Sequence, residues 1–175
     1  MKLTLDYREP EQVESCLGFD IDIWSHNKPI LLMRHTTTNV STKEVEELKV
    51  YHMMDFDIGG PSSYKDDIGA FSKEKGIMYA FDESSLSVAL ASRPNPDGWE
   101  ISPPIHLRLD ETNNDLNNNL QNGPRDIATA IQWNLGDLKP NKSAVVEIAL
   151  VATTSQDELE ALVAEAWRLF DKKVR

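Results

Sequence analysis

An all-β antiparallel sandwich closed by one C-terminal α-helix is the fold class that this 175-residue chain predicts. Three observations carry it. Segments alternating apolar and polar residues recur from Leu3 to Leu150, turn-forming clusters separate them, and a single stretch after Ser155 has helical periodicity. Strands so closely spaced, with almost no helix between them, call for antiparallel pairing rather than strand–helix–strand units. About eight to ten strands are expected in one domain spanning 1–175, because the length suits one good core and is short for two.

In chain order, Leu3, Leu5 and Tyr7 alternate with polar residues and predict a strand ending before Pro10. Glu11 to Leu17 fits a helical turn or a loop equally well. Phe19, Ile21 and Ile23 predict a half-buried strand, Ser25 to Pro29 a turn, and the β-branched run Ile30 to Asn39 a further strand. A hairpin-like return through Val40 to Glu47 leads into the next segment.

That segment is the most informative in the chain. From Leu48 the even positions Leu48, Val50, His52, Met54, Phe56 and Ile58 are apolar except His52, while the odd face carries Lys49, Tyr51, Met53, Asp55 and Asp57. The first face is expected to meet a core, and the two aspartates share the other about 7 Å apart. Gly59-Gly60-Pro61 then ends the pairing. Ser62 to Lys75 reads as a polar connection with one short strand. Ile77 to Phe81 and Leu86 to Leu90 predict a hairpin about Asp82 to Ser85. Trp99 to Ile101 is a short segment, and Asn113 to Arg125, with its six asparagines, predicts a long exposed loop that is the least ordered part of the chain. Ile127, Thr129, Ile131, Trp133 and Leu135 line one face of a strand, Lys139 to Lys142 turn the chain, and Val146, Ile148 and Leu150 line the return. Ser155 with Glu158 predicts a capping box for a helix over about 156–172. Leu159, Leu162, Val163, Ala166, Leu169 and Phe170 form its apolar stripe, and Lys172, Lys173 and Arg175 suit its C-terminal end.

Composition narrows the function classes. A formal charge of −11 argues against nucleic acid and anionic membrane surfaces as partners. Cys16 is the only cysteine, which excludes an intrachain disulfide and a thiolate metal cluster. No signal-like or membrane-spanning run is present, so a soluble, cytoplasmic protein is expected. The sequons at Asn39 and Asn141 read as turn chemistry. No glycine-rich phosphate loop, G-x-S-x-G or H-x-x-x-H motif occurs, and no cofactor is called for.

Three stretches, ILLMRHTTTNVS, KVYHMMDFDIGGPSSYKDD and DIATAIQWNLGDLKPNKSAVVEIALVA, together resemble the N-terminal β-sandwich domain of prokaryotic glucoamylases and related α-glucoside hydrolases. The resemblance implies a galactose-mutarotase-like super-sandwich. In such enzymes this domain sits beside a helical-barrel domain carrying two catalytic glutamates. It points to a stand-alone accessory domain and transfers no catalytic residue. An oligosaccharide or a glycoside hydrolase catalytic polypeptide is the implied partner, and a homo-oligomer formed through sheet edges or an apolar face is a third possibility.

The residues themselves leave several chemistries open. Asp55 and Asp57, with Asp66 and Asp67 past the turn, can act as a glycosidase-like carboxylate pair, as oxygen donors to Ca²⁺, or as solvated turn residues bonding backbone N–H groups. A small sugar-active enzyme, an epimerase or hydrolase, would use Asp55 or Asp57 with His52 or His106. An indole stacks on the apolar face of a sugar. Trp24 and Trp99 are the better candidates for exposure, although packing is the commoner role, and Trp133 and Trp167 read as core or partly buried. The expected ligand surface is therefore Tyr51, Asp55, Asp57, Tyr64 and Asp67, with Trp99 at its margin.

Overall fold

The computed structural model describes residues 1–10, 13–60 and 64–173, with Tyr64 described in its backbone only. Glu11, Pro61, Ser62, Ser63 and Arg175, on which some sequence expectations fall, lie outside the described residues. Eleven strands and one α-helix are present among the described residues: β1 (Lys2–Tyr7), β2 (Leu17–Ser25), β3 (Ile30–Asn39), β4 (Val45–Asp55), β5 (Ile68–Ser72), β6 (Ile77–Phe81), β7 (Ser87–Arg93), β8 (Gly98–Ser102), β9 (Gln121–Asn122), β10 (Ala128–Leu138), β11 (Ser143–Thr153) and α1 (Leu159–Lys173). All pairings are antiparallel, as alternation without intervening helices requires.

Two sheets of unequal width result. The wide one has eight strands in the order β1-β2-β3-β11-β7-β6-β5-β9, and the narrow one three, β4-β10-β8. The expected hairpin between β3 and β4 does not form, because β3 pairs with β2 and β11 while β4 pairs with β10. The chain crosses between sheets at Asn39, a fully buried side chain. Its Nδ2 donates to the carbonyls of Lys43 and Leu138, and its Oδ1 accepts from Ser41 N and Oγ. The first sequon is thus turn chemistry, as expected.

The main core lies between the sheets. Leu48 and Val50 of β4, with Phe56 and Ile58 just past its end, meet Met33, Met78, Leu90, Val146 and Ile148 of the wide sheet, with Ile131 and Trp133 from β10. Trp133 is fully buried, and its Nε1 donates to Ser92 Oγ and the Pro94 carbonyl, both at 3.1 Å. On the other face of the wide sheet, Leu159, Val163, Ala166 and Phe170 of α1 pack on Ile30, Leu32, Ala89, Ala149 and Val151. The helical stripe falls where the sequence placed it, but the capping box does not form. Ser155 makes no side-chain cap, and a 3₁₀ turn over Gln156–Glu158 leads in, with Thr153 Oγ1 bonded to Glu158 and Ser155 N.

The asparagine-rich segment is mostly exposed and has little regular structure, as expected, but it is bonded to the narrow sheet. It folds over the outer face of the narrow sheet, where Asn118 and Asn119 accept the backbone N–H groups of Trp99 and Ile101 through their side chains. Leu116 N donates to Gln132 Oε1, Asn117 N donates to Glu100 Oε2, and Leu116 is buried. Its composition looks like that of an unstructured loop, but asparagine also mimics a strand edge.

Candidate functional site

Asp55 ends β4, and Asp57 follows it on the same outward face. The register pairs Ala128 of β10 with Asp55. Continued two residues past the ladder, it sets Asp126 opposite Asp57. The carboxylates of Asp55, Asp57 and Asp126 accordingly gather with their nearest oxygens within 4.8 Å of one another, the first two exposed and the third half-buried. None of the three has a hydrogen bond or ion pair among the described residues. Partial burial, and then the charges of Asp57 and Asp126, hold the Asp55 carboxyl above its ordinary pKa.

Asp67 is not on this surface. It is 1 % exposed. Its Oδ2 accepts the N–H of Ile58, the residue after Asp57, at 3.2 Å, and its carbonyl accepts the N–H of Arg125, the residue before Asp126, at 3.0 Å. Oδ1 is buried with no hydrogen-bond partner. Burial raises its pKa to about 6, with Asp82, Asp57 and Asp126 adding to the shift and the Ile58 N–H opposing it. The other expected members do not join. Tyr51 lies about 13 Å along the strand from Asp55, half-buried, its hydroxyl donating to the Asn114 carbonyl at 2.6 Å. Trp99, on the far strand of the narrow sheet, stacks on Phe71 with centroids 4.1 Å apart and Lys73 Nζ 5.2 Å from its own centroid. Trp24 is not free either, since it meets the Phe170 ring edge-on at 5.6 Å. The Tyr64 backbone begins a short 3₁₀ turn.

Two features escaped the sequence reading. The first is a polar network beneath the asparagine-rich cover, in which Asp115 bridges Lys49 and buried Gln132, and fully buried Glu100 accepts from Ser102 Oγ. The Lys49–Asp115 pair holds the lysine pKa up and the aspartate pKa down. The second is an apolar crevice of about 400 Å³ at one open end of the sandwich. Met54 and Phe56 form one wall, Leu31, Val88 and Leu150 the other, and His26 and Pro29 lie at its rim. His26 Nε2 is buried with no hydrogen-bond partner. Alternation in β3, β4 and β11 pointed to these apolar residues, but not to the gap between them.

His52 points inward, away from Asp55 and Asp57, so those aspartates do not have it as an acid–base partner. Its ring lies 5.5 Å from that of His35 across the sandwich. Burial, reinforced by His35, lowers its pKa to about 4, and burial lowers that of His35 as well. The unfolded imidazole takes its proton near 6.5, so between pH 6.5 and 4 the unfolded chain binds more protons and stability falls on acidification. With allowance for partial exposure, His52 is expected to remove about 2 kcal/mol between pH 7 and 4.5. Urea unfolding of His52→Gln at both pH values checks this, because the variant should lose less than the parent; equal losses would place His52 in solvent.

No family model matches the chain, and no curated protein matches it. Solved structures do. A bacterial glucoamylase solved with acarbose superposes with a TM-score of 0.63 at 15% identity, over 86% of this chain and 22% of that one. The matched part is the glucoamylase N-terminal region. An aldose epimerase homologue from C. elegans superposes with a TM-score of 0.57 at 8% identity, over 89% of this chain and 66% of that one. The fold is the galactose-mutarotase-like super-sandwich. This super-sandwich spans less than a quarter of the glucoamylase it matches, and about two thirds of the epimerase homologue. Among the described residues, no helix is long and apolar enough to cross a membrane.

Proposed function

We propose that this super-sandwich is a non-catalytic accessory domain of α-glucan or oligosaccharide metabolism, working by docking onto a separate glycoside hydrolase catalytic polypeptide. The likeness to the glucoamylase region supplies the metabolic class. The observation that carries the docking is the mismatch of the sheets: three strands cover eight, β4 is an edge strand of eleven residues, and the apolar crevice opens beside its Met54 and the Phe56 that follows it. A strand from the partner can extend the narrow sheet at β4 while an apolar side chain enters the crevice.

Direct sugar binding draws less support, because the indoles are engaged elsewhere. Trp24 and Trp167 pack with Phe170, Arg93 lies 4.2 Å from the Trp167 centroid, Trp133 is buried and Trp99 is stacked on Phe71. What favours it is the exposure of Asp55 and Asp57, which can accept sugar hydroxyls.

Calorimetric titration separates the readings. The purified chain is titrated with the source organism's glycoside hydrolase catalytic polypeptides that lack a sandwich domain, and with maltooligosaccharides. The expected result is a saturable one-to-one complex with one such polypeptide. Met54→Lys should weaken it at least about tenfold, the effect of charging an apolar contact, and Pro29→Glu, at an exposed rim position, should weaken it too. Heat from the sugars alone would move the function to the acidic surface. Silence in both arms would overturn the accessory role.

A further inference from the structure

The wide sheet ends on a bare edge. β1 is its first strand, and the outer side of β1 pairs with no strand among the described residues. Such edges are templates for further strands, and proteins blunt them with proline, bulges or shortness. β1 has none of these devices: it runs six residues without proline, in unbroken register with β2. Every one of its residues is exposed. Pairing with β2 sets Leu3 opposite Ile21, Leu5 opposite Phe19 and Tyr7 opposite Leu17, and Phe19 and Leu17 belong to the core between the sheets. Opposite residues share a face. Leu3, Leu5 and Tyr7, 44, 49 and 49 % exposed, therefore carry that apolar face on to the bare edge.

The backbone decides which residues of β1 can bond a newcomer. The Met1 amino group donates to the Ile23 carbonyl and Ile23 N donates to the Met1 carbonyl, each at 2.8 Å. Bonded and non-bonded pairs alternate along an antiparallel ladder. Leu3 and Leu5 accordingly bond inward to β2, and Lys2, Thr4 and Asp6 turn their N–H and C=O groups outward. The side chains of this strand read alike in both directions about Thr4. With Thr4 set against the partner's Thr4 on a two-fold axis, Lys2 meets the partner's Asp6, Leu3 meets the partner's Leu5 and Met1 meets the partner's Tyr7. A slip of one residue would set Leu3 against the partner's Asp6, and a slip of two would set Lys2 against the partner's Arg8 or the partner's Thr4. Asp6 has no hydrogen bond or ion pair of its own among the described residues. Lys2 reaches Asp20 at 3.3 Å, with its side chain still 57 % exposed.

We propose that β1 is a homodimer interface, at which two copies of this chain pair edge to edge, antiparallel and centred on Thr4. Three kinds of complementarity select a second copy as the occupant. The outward backbone groups of Lys2, Thr4 and Asp6 form about six hydrogen bonds, since each bonded pair exchanges two. The lysine and aspartate at the ends of the strand neutralise each other across the axis, and the exposed leucines meet in the closer, non-bonded pairs. A two-fold pairing uses up this edge in both copies, so assembly closes at the dimer. No residue of β1 lines the apolar crevice.

Sedimentation equilibrium of the full chain tests the interface, at about 0.15 M salt so that the repulsion between two chains of charge −11 is screened. Monomer is expected to give way to dimer between about 1 and 300 µM, as suits a small interface. Thr4→Pro removes an outward N–H that the monomer leaves to solvent, which an edge strand tolerates, and should leave only monomer. Asp6→Lys sets like charges opposite each other at both ends of the ladder, and so does Lys2→Asp, so each alone should weaken the dimer at least about tenfold. Mixed in equal amounts, these two variants oppose unlike charges at both ends and should recover the parental affinity as a heterodimer. Near-ultraviolet circular dichroism confirms that each variant is folded. Monomer throughout the range, dimerisation unchanged in Thr4→Pro, or a mixture no tighter than its separate components would each overturn the proposal.

Discussion

Trp133→Ala is expected to destabilise the protein by about 4 kcal/mol, a large part of the stability of a domain this size. Trp133 is the largest of the fully buried side chains, and it stands where the narrow sheet meets the wide one. Truncation leaves a cavity that rigid strands on both sides cannot close, and it strips Ser92 Oγ and the Pro94 carbonyl of their shared donor. Urea denaturation followed by far-ultraviolet circular dichroism measures the change. Trp133→Phe keeps most of the volume and loses the two hydrogen bonds, so a smaller loss of about 2 kcal/mol is expected there. A loss below about 1.5 kcal/mol for the alanine variant would mean that this site collapses more readily than a packed inter-sheet core does.

Gly123→Ala is expected to cost about 3 kcal/mol, through both backbone and contact. Its φ of 111° lies where side chains strain the chain, and an added Cβ would come within 2.3 Å of the Asp67 carbonyl oxygen and 2.9 Å of Ile68 Cα. Both neighbours are backbone, so Asp67 and the start of β5 must shift. Gly136 separates the causes: its φ is 70°, but an added Cβ meets nothing within 4 Å. Gly136→Ala should therefore cost only the conformational part, about 1 kcal/mol. Equal losses in the two variants, measured by the same denaturation, would show that the close approach at Gly123 is relieved without cost.

These two residues also mark what a sequence of this kind makes readable. Trp133 could be placed in the core from its phase with Ile127 and Ile131, because a strand buried on one face must repeat its apolar residues every second position. The same rule gave the inward face of β4, and the period of 3.6 gave the stripe of α1. The close approach at Gly123 depends on how β5 runs past a segment more than fifty residues further on, and no local pattern reports that. Periodicity likewise marks a strand without naming its neighbour, which is why β3 and β4 read as a hairpin although they belong to different sheets.

The acidic cluster divides in the same way. Asp55 and Asp57 were legible as a pair, since both sit on the polar face of one strand. Asp126 was not, because it reaches them only through the antiparallel pairing of β4 with β10. Given that pairing, its position opposite Asp57 follows by counting. Asp67 was read as a surface residue because nothing in its sequence neighbours shows that its side chain is buried. Tyr51 was grouped with the aspartates because it shares their strand face, and Trp99 by chemistry; distance along β4 separates the first from Asp55, and the second stands on the far strand of the narrow sheet. The bonds that anchor the asparagine-rich segment were not legible, because their partners are strand residues far off in sequence.

Product release from maltoheptaose tests the accessory role most directly, measured for the purified chain alone, for a catalytic polypeptide that binds it, and for the two together. The expected result is no release by the chain alone, and faster release by the pair than by the catalytic polypeptide alone. Steady release by the chain alone, abolished in Asp55→Asn, would contradict the account and make this super-sandwich an enzyme in its own right.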